Sequence, residues 1–291
     1  MVNPLEIERR TVDVGEVRLD CAFCGSPKDP LVVLLHGFPA CAGTWRAILP
    51  AVAGAGFLAV APDMRGYAKS DKPPGVAAYS VAHLVSDVAG LIAALGQTSA
   101  HVVGHDFGGG IAWAIAMAKP EMVRTLTILN AVHPVGFEAA IKKWSQLKKS
   151  WYLFFFQLPW IPEWWLSRKD FAFLRSSLAD GGLPKEVIDE FIDAQRAPGA
   201  LAAALNWYRA SFRDGLRRRL DPKKVKTPTF IIWGEAERHL ERELSVPPDG
   251  WVENARTVYV PDASHWVHHD APSRVTELLL ERFTTLDVLP K

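Results

Sequence analysis

Residues 102–113 read VVGHDFGGGIAW, an apolar run followed by a glycine-rich turn and a second apolar run. This pattern is typical of a buried strand that leads through a sharp turn into a helix, because glycine permits a strained backbone. In many enzymes a nucleophilic serine stands at the centre of such a turn. Here the central residue is Asp106. The turn alone fits two interpretations equally, a nucleophile elbow and a helix N-cap, a position at which Asp is also favoured.

Short apolar runs alternate with helical patterns along most of the chain. Six runs have the Val, Ile and Leu content of buried strands, namely residues 31–35, 57–61, 101–104, 126–129, 229–233 and 257–260. Helical periodicity covers residues 80–96, 109–120 and 273–283. The alternation predicts an α/β fold in which helices flank both faces of a mostly parallel central sheet.

This alternation stops after His133. The following residues are helical in pattern and rich in aromatic side chains, and the strand pattern returns only at residue 229. An insert between two parts of one sheet predicts a helical cap over the carboxyl edge of the strands, where open parallel sheets bind ligands. The predicted division is a first core part at 1–133, a cap at 134–221 and a second core part at 222–291.

The bulk composition is that of a globular protein with a sizeable core. The chain has 291 residues, of which 49% are hydrophobic and 22% charged, and its net charge is +1. That charge gives no reason to expect nucleic acid or an acidic membrane surface as a partner. The first residues lack the apolar region of a secretory signal, and no run reaches the roughly 18 apolar residues of a membrane span. We therefore expect a cytoplasmic protein, and a homodimer is compatible with the sequence.

Cysteine usage gives no sign of a disulfide framework or a metal site. There are three cysteines, an odd number, and only Cys21 and Cys24 form a close pair. Their segment is strand-like, so residues three apart are expected to point to opposite faces of the sheet. The sequence accordingly predicts neither a metal nor a cofactor.

An elbow nucleophile requires an acid and then a histidine further along the chain. Glu235 and Glu237 follow one predicted strand, and His265 lies in the loop after the next. The order Asp106, Glu237, His265 therefore fits. The loop HGFP at 36–39 is expected to supply the backbone amide of Phe38 to an oxyanion hole, beside the amide of Phe107. These partners favour the nucleophile elbow over the N-cap, and His36 and His105 are expected to hold loops by hydrogen bonds.

At this point the sequence resembles the α/β-hydrolase superfamily and, within it, the epoxide hydrolases. The segments that match the family motifs in order are HGFP, PDMRGYAKSD (62–71), GHDFGG (104–109), WGEAE (233–237) and SHW (264–266). In the cap, WYLFFFQLP (151–159) and LNWYRA (205–210) resemble the two segments that each present a tyrosine to the epoxide oxygen. The resemblance implies that Tyr152 and Tyr208 have this role. Glu237 stands where the family usually has Asp, so Glu235 stays open as the relay acid, and Phe107 stands where Trp is common.

The chemistry independently explains these residue types. A carboxylate is already charged at neutral pH, so Asp106 can attack an sp³ carbon without a base and form an alkyl–enzyme ester. His265 can then activate a water that hydrolyses the ester, while the acid orients its ring. The aromatic cap favours a small lipophilic epoxide as the substrate, reacting with water. We expect the substrate to contact four aromatic residues, Phe38, Phe107, Trp151 and Trp266.

Two other functions remain open from the residues. A dehalogenase of the same superfamily also forms an aspartyl ester, but its halide leaving group needs N–H donors, whereas this cap offers tyrosine acids and Phe107 is apolar. A ligand-binding protein without catalysis could share the fold, because a fold does not determine function. The intact set of Asp106, Glu237 and His265 favours an enzyme.

Overall fold

The computed structural model describes residues 5–216 and 222–287, which contain a single eight-stranded sheet in the order β1-β2-β4-β3-β5-β6-β7-β8. The strands are β1 Glu8–Asp13, β2 Arg18–Cys24, β3 Leu31–Leu35, β4 Leu58–Pro62, β5 Ala100–His105, β6 Val123–Leu129, β7 Thr229–Gly234 and β8 Ala255–Val260. All six predicted strands are present, with bounds within three residues of those expected. From β4 through β8 the pairing is parallel, so the predicted fold class is confirmed.

Two antiparallel strands, β1 and β2, extend the sheet beyond the predicted part. The sequence ERRTVD of β1 has no buried residue and carries four charges, so it lacks the apolar pattern of an inner strand. Charged side chains are typical of an edge strand, which they protect from pairing with other chains. In β2 the side chains of Cys21 and Cys24 belong to apolar clusters on opposite faces of the sheet, as expected.

Core helices cover both faces of the sheet. They are α1 Leu49–Gly54, α2 Val81–Ala94, α3 Phe107–Ala118, α10 Val267–Asp270 and α11 Pro272–Asp287. One apolar cluster joins α2 and α3 to the sheet around Trp113, and the other joins α1 and α11 around Phe283. The carboxyl ends of the parallel strands are left free between these two layers, and the cap lies over them.

Between β6 and β7 the described residues of the cap form six α-helices. They are α4 Pro134–Ala140, α5 Trp144–Lys149, α6 Trp151–Phe155, α7 Ile161–Asp180, α8 Lys185–Arg196 and α9 Ala200–Leu216. Helix α7 is interrupted at residues 168–171, three of which have a positive φ. The predicted end of the cap at 221 falls outside the described residues, so that boundary stays a prediction. Within the described ranges, no helix is long and apolar enough to cross a bilayer.

Hydrogen bonds and a shared apolar cluster attach the cap to the core. The indole N–H of Trp207 in α9 donates to the backbone oxygen of Arg65 at 3.0 Å. The side-chain amide of Gln195 in α8 donates to the backbone oxygen of Pro39 at 3.1 Å. Phe38 and Phe107, which flank the carboxyl end of β5, pack against the apolar cluster of the cap. The end of β5 is therefore enclosed between the two parts.

Candidate active site

Asp106 stands on the sharp turn between β5 and α3. Its backbone has a φ of 50° and a ψ of −124°, a region that residues with a side chain rarely adopt. Gly108 permits this turn, because a Cβ atom there would lie 2.5 Å from the carbonyl oxygens of His36 and Leu35. The Asp106 side chain makes no capping hydrogen bond to the helix. This is the geometry of a nucleophile elbow and differs from that of an N-cap.

The Asp106 carboxylate lies against two backbone amides. The N–H of Phe38 donates to Oδ2 at 3.0 Å, and the N–H of Phe107, the first residue of α3, lies close enough to lower the pKa of the carboxyl. Gly37 permits this close approach, because a Cβ atom there would lie 2.3 Å from Oδ2. Burial raises the pKa of Asp106 above its ordinary value, although the charge of His265 and the two amides act in the opposite direction. The two amides expected in the oxyanion hole therefore meet at Asp106.

His265 lies between two acidic side chains. Its Nδ1 is 2.6 Å from Oε2 of Glu237, and its Nε2 is 3.9 Å from Oδ1 of Asp106. Burial alone would lower the pKa of His265, but the charge and hydrogen bond of Glu237, together with the charge of Asp106, raise it to about 9. Near neutral pH His265 is therefore an imidazolium held between two carboxylates.

Of the two glutamates that follow β7, Glu237 is the one that reaches His265. Its side chain is only 2% exposed. Burial would raise the pKa of Glu237, but the charge and hydrogen bond of His265 and two further N–H donors lower it to about 2. Glu235 instead forms an ion pair with Arg242 at 2.7 Å, and its side chain is 30% exposed. The geometry therefore favours Glu237 as the acid that orients His265.

Asn130 is a member of this site that the sequence reasoning missed. Its side-chain N–H donates to Oε2 of Glu237 at 2.8 Å, and its Oδ1 accepts from the N–H of Gly234 at 2.9 Å. It directly follows β6, at the carboxyl edge of the sheet where ligand sites are built, and this position was the available signal. Asn130 thus fixes the orientation of Glu237 from the neighbouring strand.

His105 holds the backbone of the histidine loop. Its Nε2 lies 2.9 Å from the backbone oxygen of His265, and a carbonyl oxygen only accepts, so His105 donates. Burial, together with the charge of His265, lowers the pKa of His105 well below its ordinary value, which keeps the ring neutral. His36 similarly accepts from the N–H of Met64 at 3.0 Å. Both histidines make the loop-holding hydrogen bonds expected of them.

Tyr152 of α6 and Tyr208 of α9 lie together on the inner side of the cap. Their ring centroids are 6.1 Å apart, and both rings pack against Phe156. Tyr208 also contacts Phe38 and Phe107, the residues whose amides bind Asp106, at 5.7 and 5.1 Å between centroids. Burial and the nearby charge of Asp106 raise the pKa of both tyrosines above the ordinary value. Both hydroxyls are therefore protonated and able to donate.

Arg209 joins the two tyrosine-bearing segments, which the sequence reasoning did not foresee. From α9 it donates to the backbone oxygens of Phe156 and Leu158 at 2.8 and 2.7 Å, just beyond the end of α6. It also pairs with Glu163 through two hydrogen bonds of 2.6 and 3.0 Å. Because Arg209 directly follows Tyr208, these bonds fix one tyrosine relative to the other.

The Arg209→Met substitution is expected to lower the free energy of unfolding by about 2–4 kcal/mol, because it leaves Glu163 and two carbonyl oxygens of the cap unpaired. Chemical denaturation measures this loss. Arg213, an exposed arginine one turn further along α9, gives the matched control Arg213→Met, which should change stability by less than about 0.5 kcal/mol. Equal losses in the two variants would contradict the positioning role.

The four residues expected to contact substrate occupy different places. Phe38 and Phe107 lie beside Asp106 and under Tyr208, and Trp266 is buried against the cap cluster next to His265. Trp151 differs: its side chain is 49% exposed and its ring packs against Phe155. Successive side chains of a helix point in directions roughly 100° apart, so the helix that turns Tyr152 inward turns its neighbour outward. The geometry gives no support to a substrate contact by Trp151.

Comparison with known proteins places this chain in a family. The family described as the alpha/beta hydrolase fold matches residues 30–272. Epoxide hydrolase 3 of Xenopus tropicalis is 35% identical over 281 residues, which cover 93% of this chain and 75% of that protein. The chain belongs to the epoxide hydrolases of the α/β-hydrolase superfamily. Its resemblance to human Epoxide hydrolase 4 is similar, at 34% identity, with 93% of this chain and 76% of that protein covered.

Two bacterial proteins match this chain over nearly the whole of their own length. The AB hydrolase superfamily protein YfhM of Bacillus subtilis is 36% identical over 275 residues, covering 93% of this chain and 96% of that protein. A solved structure of the Bacillus megaterium epoxide hydrolase, in complex with an inhibitor, superposes with a TM-score of 0.85 at 29% identity. That match covers 94% of this chain and the whole of the other. The core and the cap therefore both have counterparts in a known epoxide hydrolase.

Proposed function

We propose that the chain hydrolyses a small lipophilic epoxide to a vicinal diol through an ester between the substrate and Asp106. The observation that carries this proposal is the placement of two protonated tyrosines, Tyr152 and Tyr208, over a carboxylate held at a nucleophile elbow. A carboxylate attacks carbon without a base, and a ring oxygen that leaves as an alkoxide needs a proton donor. The relatives named epoxide hydrolases support the same reaction.

In the first step Oδ1 of Asp106 attacks a ring carbon of the epoxide. We assign the attack to Oδ1, because Oδ2 accepts the N–H of Phe38. The carbon–oxygen bond of the ring breaks, its electron pair passes to the epoxide oxygen, and that oxygen takes a proton from a tyrosine. The imidazolium of His265 returns a proton to the tyrosine. The step leaves an ester on Asp106 and a neutral His265.

In the second step water attacks the Cγ atom of the ester. His265 takes a proton from the water through Nε2, and Glu237 stabilises the imidazolium that results. The tetrahedral oxyanion lies against the amides of Phe38 and Phe107. The intermediate then collapses, the ester oxygen leaves with the diol, and the new carboxyl group of Asp106 supplies the proton that the leaving oxygen needs. The resting charges are restored.

The pKa of His265 gives this cycle a defined pH dependence. Because the charge of Asp106 helps to raise that pKa to about 9, esterification of Asp106 lowers it. Hydrolysis needs neutral His265, so its rate should fall as the pH drops through a pKa below 9. Alkylation needs ionised Asp106 and protonated His265, so its rate should instead fall as the pH rises through about 9. Single-turnover tryptophan fluorescence between about pH 5 and 10 separates the two rates. A hydrolysis rate that rises as the pH falls would contradict this cycle.

The choice of substrate class is tested by a matched pair of substrates. The wild-type protein should convert a styrene-oxide-like epoxide to a diol and should leave a chloroalkane of similar size unchanged. The physical reason is that the two tyrosines donate to oxygen and the pocket wall at Phe107 is apolar, without an N–H side chain to receive a halide. Turnover of the chloroalkane alone would assign the site to a dehalogenase, and turnover of neither, with no ester formed, would favour ligand binding.

A further inference from the structure

Exposed apolar side chains are concentrated on the cap. Among the described residues eleven large hydrophobic side chains are exposed, and nine of them lie in the cap. The nine are Trp144, Trp151, Phe154, Leu158, Trp160, Ile161, Trp164, Phe173 and Phe212, which we call the aromatic cap face. Soluble proteins seldom expose apolar side chains in such a group unless it serves an interaction. Eight of the nine fall within residues 144–173.

Ring contacts connect parts of this surface. Trp151 contacts Phe155, which contacts Trp165, which in turn contacts Phe173, with centroids 5.8, 5.4 and 4.3 Å apart. Phe154 contacts Phe212 across α6 and α9 at 6.1 Å. Exposed residues of α6, α7 and α9 therefore belong to neighbouring parts of one surface.

Trp160 is the most prominent member of the aromatic cap face. Its side chain is 81% exposed, and its backbone φ is 59°. A bulky residue rarely adopts this conformation, and such outliers cluster at functional sites. An exposed tryptophan at a strained turn contributes little packing to the free protein. Its position therefore favours a contact with another molecule.

The charges around the aromatic cap face are strongly positive. Residues 142–173 contain six basic and two acidic residues, a net charge of +4, whereas the whole chain carries +1, so the remainder carries −3. Both acidic residues are already paired: Glu163 with Arg209, and Asp170 with Arg175 and Arg196. The basic side chains are Lys142, Lys143, Lys148, Lys149, Arg168 and Lys169, of which all but Lys149 are exposed. Lys142 lies 3.9 Å from Glu138 at the surface, and Lys149 pairs with Glu241 at 3.3 Å. The small net charge of the whole chain therefore does not reflect the positive charge of this surface.

We propose that the aromatic cap face docks on an anionic phospholipid membrane, with its tryptophans in the headgroup region and its lysines against the lipid phosphates. Exposed tryptophan, phenylalanine and leucine flanked by Lys and Arg are the chemistry that interfacial binding requires. Each basic side chain near an anionic leaflet is attracted to it, and the tryptophans add apolar burial. Two of the cations already cover tryptophan rings, Lys148 over Trp144 and Arg168 over Trp164.

A second copy of the chain fits this surface less well than a lipid headgroup does. In a two-fold dimer the same patch would face itself and bring two cationic surfaces together. Like charges placed opposite each other repel and weaken an interface, and lysine is depleted from protein interfaces. An anionic membrane instead complements both the apolar and the basic parts of the surface.

The position of the aromatic cap face also bears on the route of the substrate. Helix α6 carries Tyr152 inside the cap and Trp151 and Phe154 on the outside, so docking brings the reacting groups close to the bilayer. Lipophilic epoxides partition into that bilayer. This consequence rests on the proposed function, whereas membrane binding itself does not.

The test measures sedimentation of the full chain with vesicles of phosphatidylcholine, alone or with about 30 mol% phosphatidylglycerol. The wild-type protein should bind the anionic vesicles at about 0.05 M NaCl, bind the neutral vesicles more weakly, and lose most anionic binding at about 0.5 M NaCl. No binding to the anionic vesicles at low salt would overturn the proposal, and this arm needs no variant.

Two triple variants and two controls locate the surface. We expect Trp144→Ser/Trp160→Ser/Trp164→Ser and Lys142→Glu/Lys143→Glu/Lys148→Glu each to lower the partition coefficient on the order of 100-fold. The apolar control is Leu5→Ser/Val246→Ser, at the two large apolar residues that are exposed in the described part of the core. The charge control is Lys28→Glu/Lys224→Glu/Lys226→Glu, at exposed lysines of the core. Both controls should bind within about threefold of the wild type.

The outcomes separate the proposal from its rivals. Undiminished binding by both triple variants would overturn it. So would a wild-type dimer in light scattering that the tryptophan variant converts to a monomer without any vesicle binding, because the surface would then belong to a second copy. Turnover of a water-soluble epoxide without vesicles, which all four variants should retain, tests the proposed function separately.

Discussion

The His265→Gln variant is expected to react once with an epoxide and then stop. Oδ1 of Asp106 still attacks, because the carboxylate needs no base. Without the imidazole, however, no base remains to take a proton from water. Loss of the base should slow ester hydrolysis on the order of 10⁴-fold, the upper range for positioned proton transfer. Intact-protein mass spectrometry should then show the protein heavier by one substrate mass. Alkylation should slow much less than hydrolysis, since the lost imidazolium helps to keep Asp106 ionised and returns a proton to the tyrosine but takes no part in the attack on carbon.

Glu237→Gln is the graded comparison for this experiment. It removes the charge that holds His265 but keeps an oxygen that can accept from Nδ1, so the ester should accumulate to a smaller extent. Glu235→Gln, at the exposed glutamate that pairs with Arg242, should behave like the wild type. A His265→Gln protein that is never modified would mean that the histidine acts before ester formation. Normal turnover in Glu237→Gln would assign orientation of His265 to another residue.

The Tyr152→Phe/Tyr208→Phe double variant is expected to lose alkylation on the order of 10⁴-fold, because no acid would remain for the departing ring oxygen. Either single variant should lose roughly 10²-fold, since the other tyrosine still donates to the same oxygen. Water is excluded beneath the aromatic cap, which strengthens each donated hydrogen bond. Rapid mixing with tryptophan fluorescence as the signal measures these rates, and the chain contains 11 tryptophans.

Hydrolysis of an ester already formed serves as the internal control for the tyrosine variants. That step uses His265 and the amides of Phe38 and Phe107, so it should change far less than alkylation. Tyr→Phe removes one hydroxyl and keeps the ring contacts with Phe156, so cap packing is preserved. Wild-type alkylation by the double variant would reduce both tyrosines to packing residues and make the dehalogenase the leading function.

The parts of the site that lie on a sequence motif could be predicted from the residues. A glycine-rich turn after a strand predicts an elbow at Asp106, and chain order predicts which loops bring Glu237 and His265 to it. The six predicted strands could be recognised in the same way, because five of them are inner strands with apolar sequences and the edge strand β8 contains the apolar run TVYV. What decided between Glu235 and Glu237 was the hydrogen bond to His265, which depends on how the loop after β7 turns.

Other parts depend on contacts between distant segments. Asn130 contacts Glu237 across two neighbouring strands, and Arg209 connects α9 to the end of α6. In neither case can the bonding partner be predicted from the local sequence. The charged edge strand β1 was missed because it has no apolar pattern. Composition also gave no sign of the positive charge around the aromatic cap face, because the net charge of +1 is a sum over the whole chain.

A single turnover in ¹⁸O-labelled water, with protein in excess over epoxide, tests the covalent role of Asp106 most directly. In the proposed cycle the oxygen that joins the substrate carbon is Oδ1 of Asp106, and the solvent oxygen enters Cγ when the ester is hydrolysed. The diol from the first turnover should therefore be unlabelled, and the peptide that contains Asp106 should gain one ¹⁸O atom. A fully labelled diol with an unlabelled peptide would mean that water attacks the epoxide directly, without an ester.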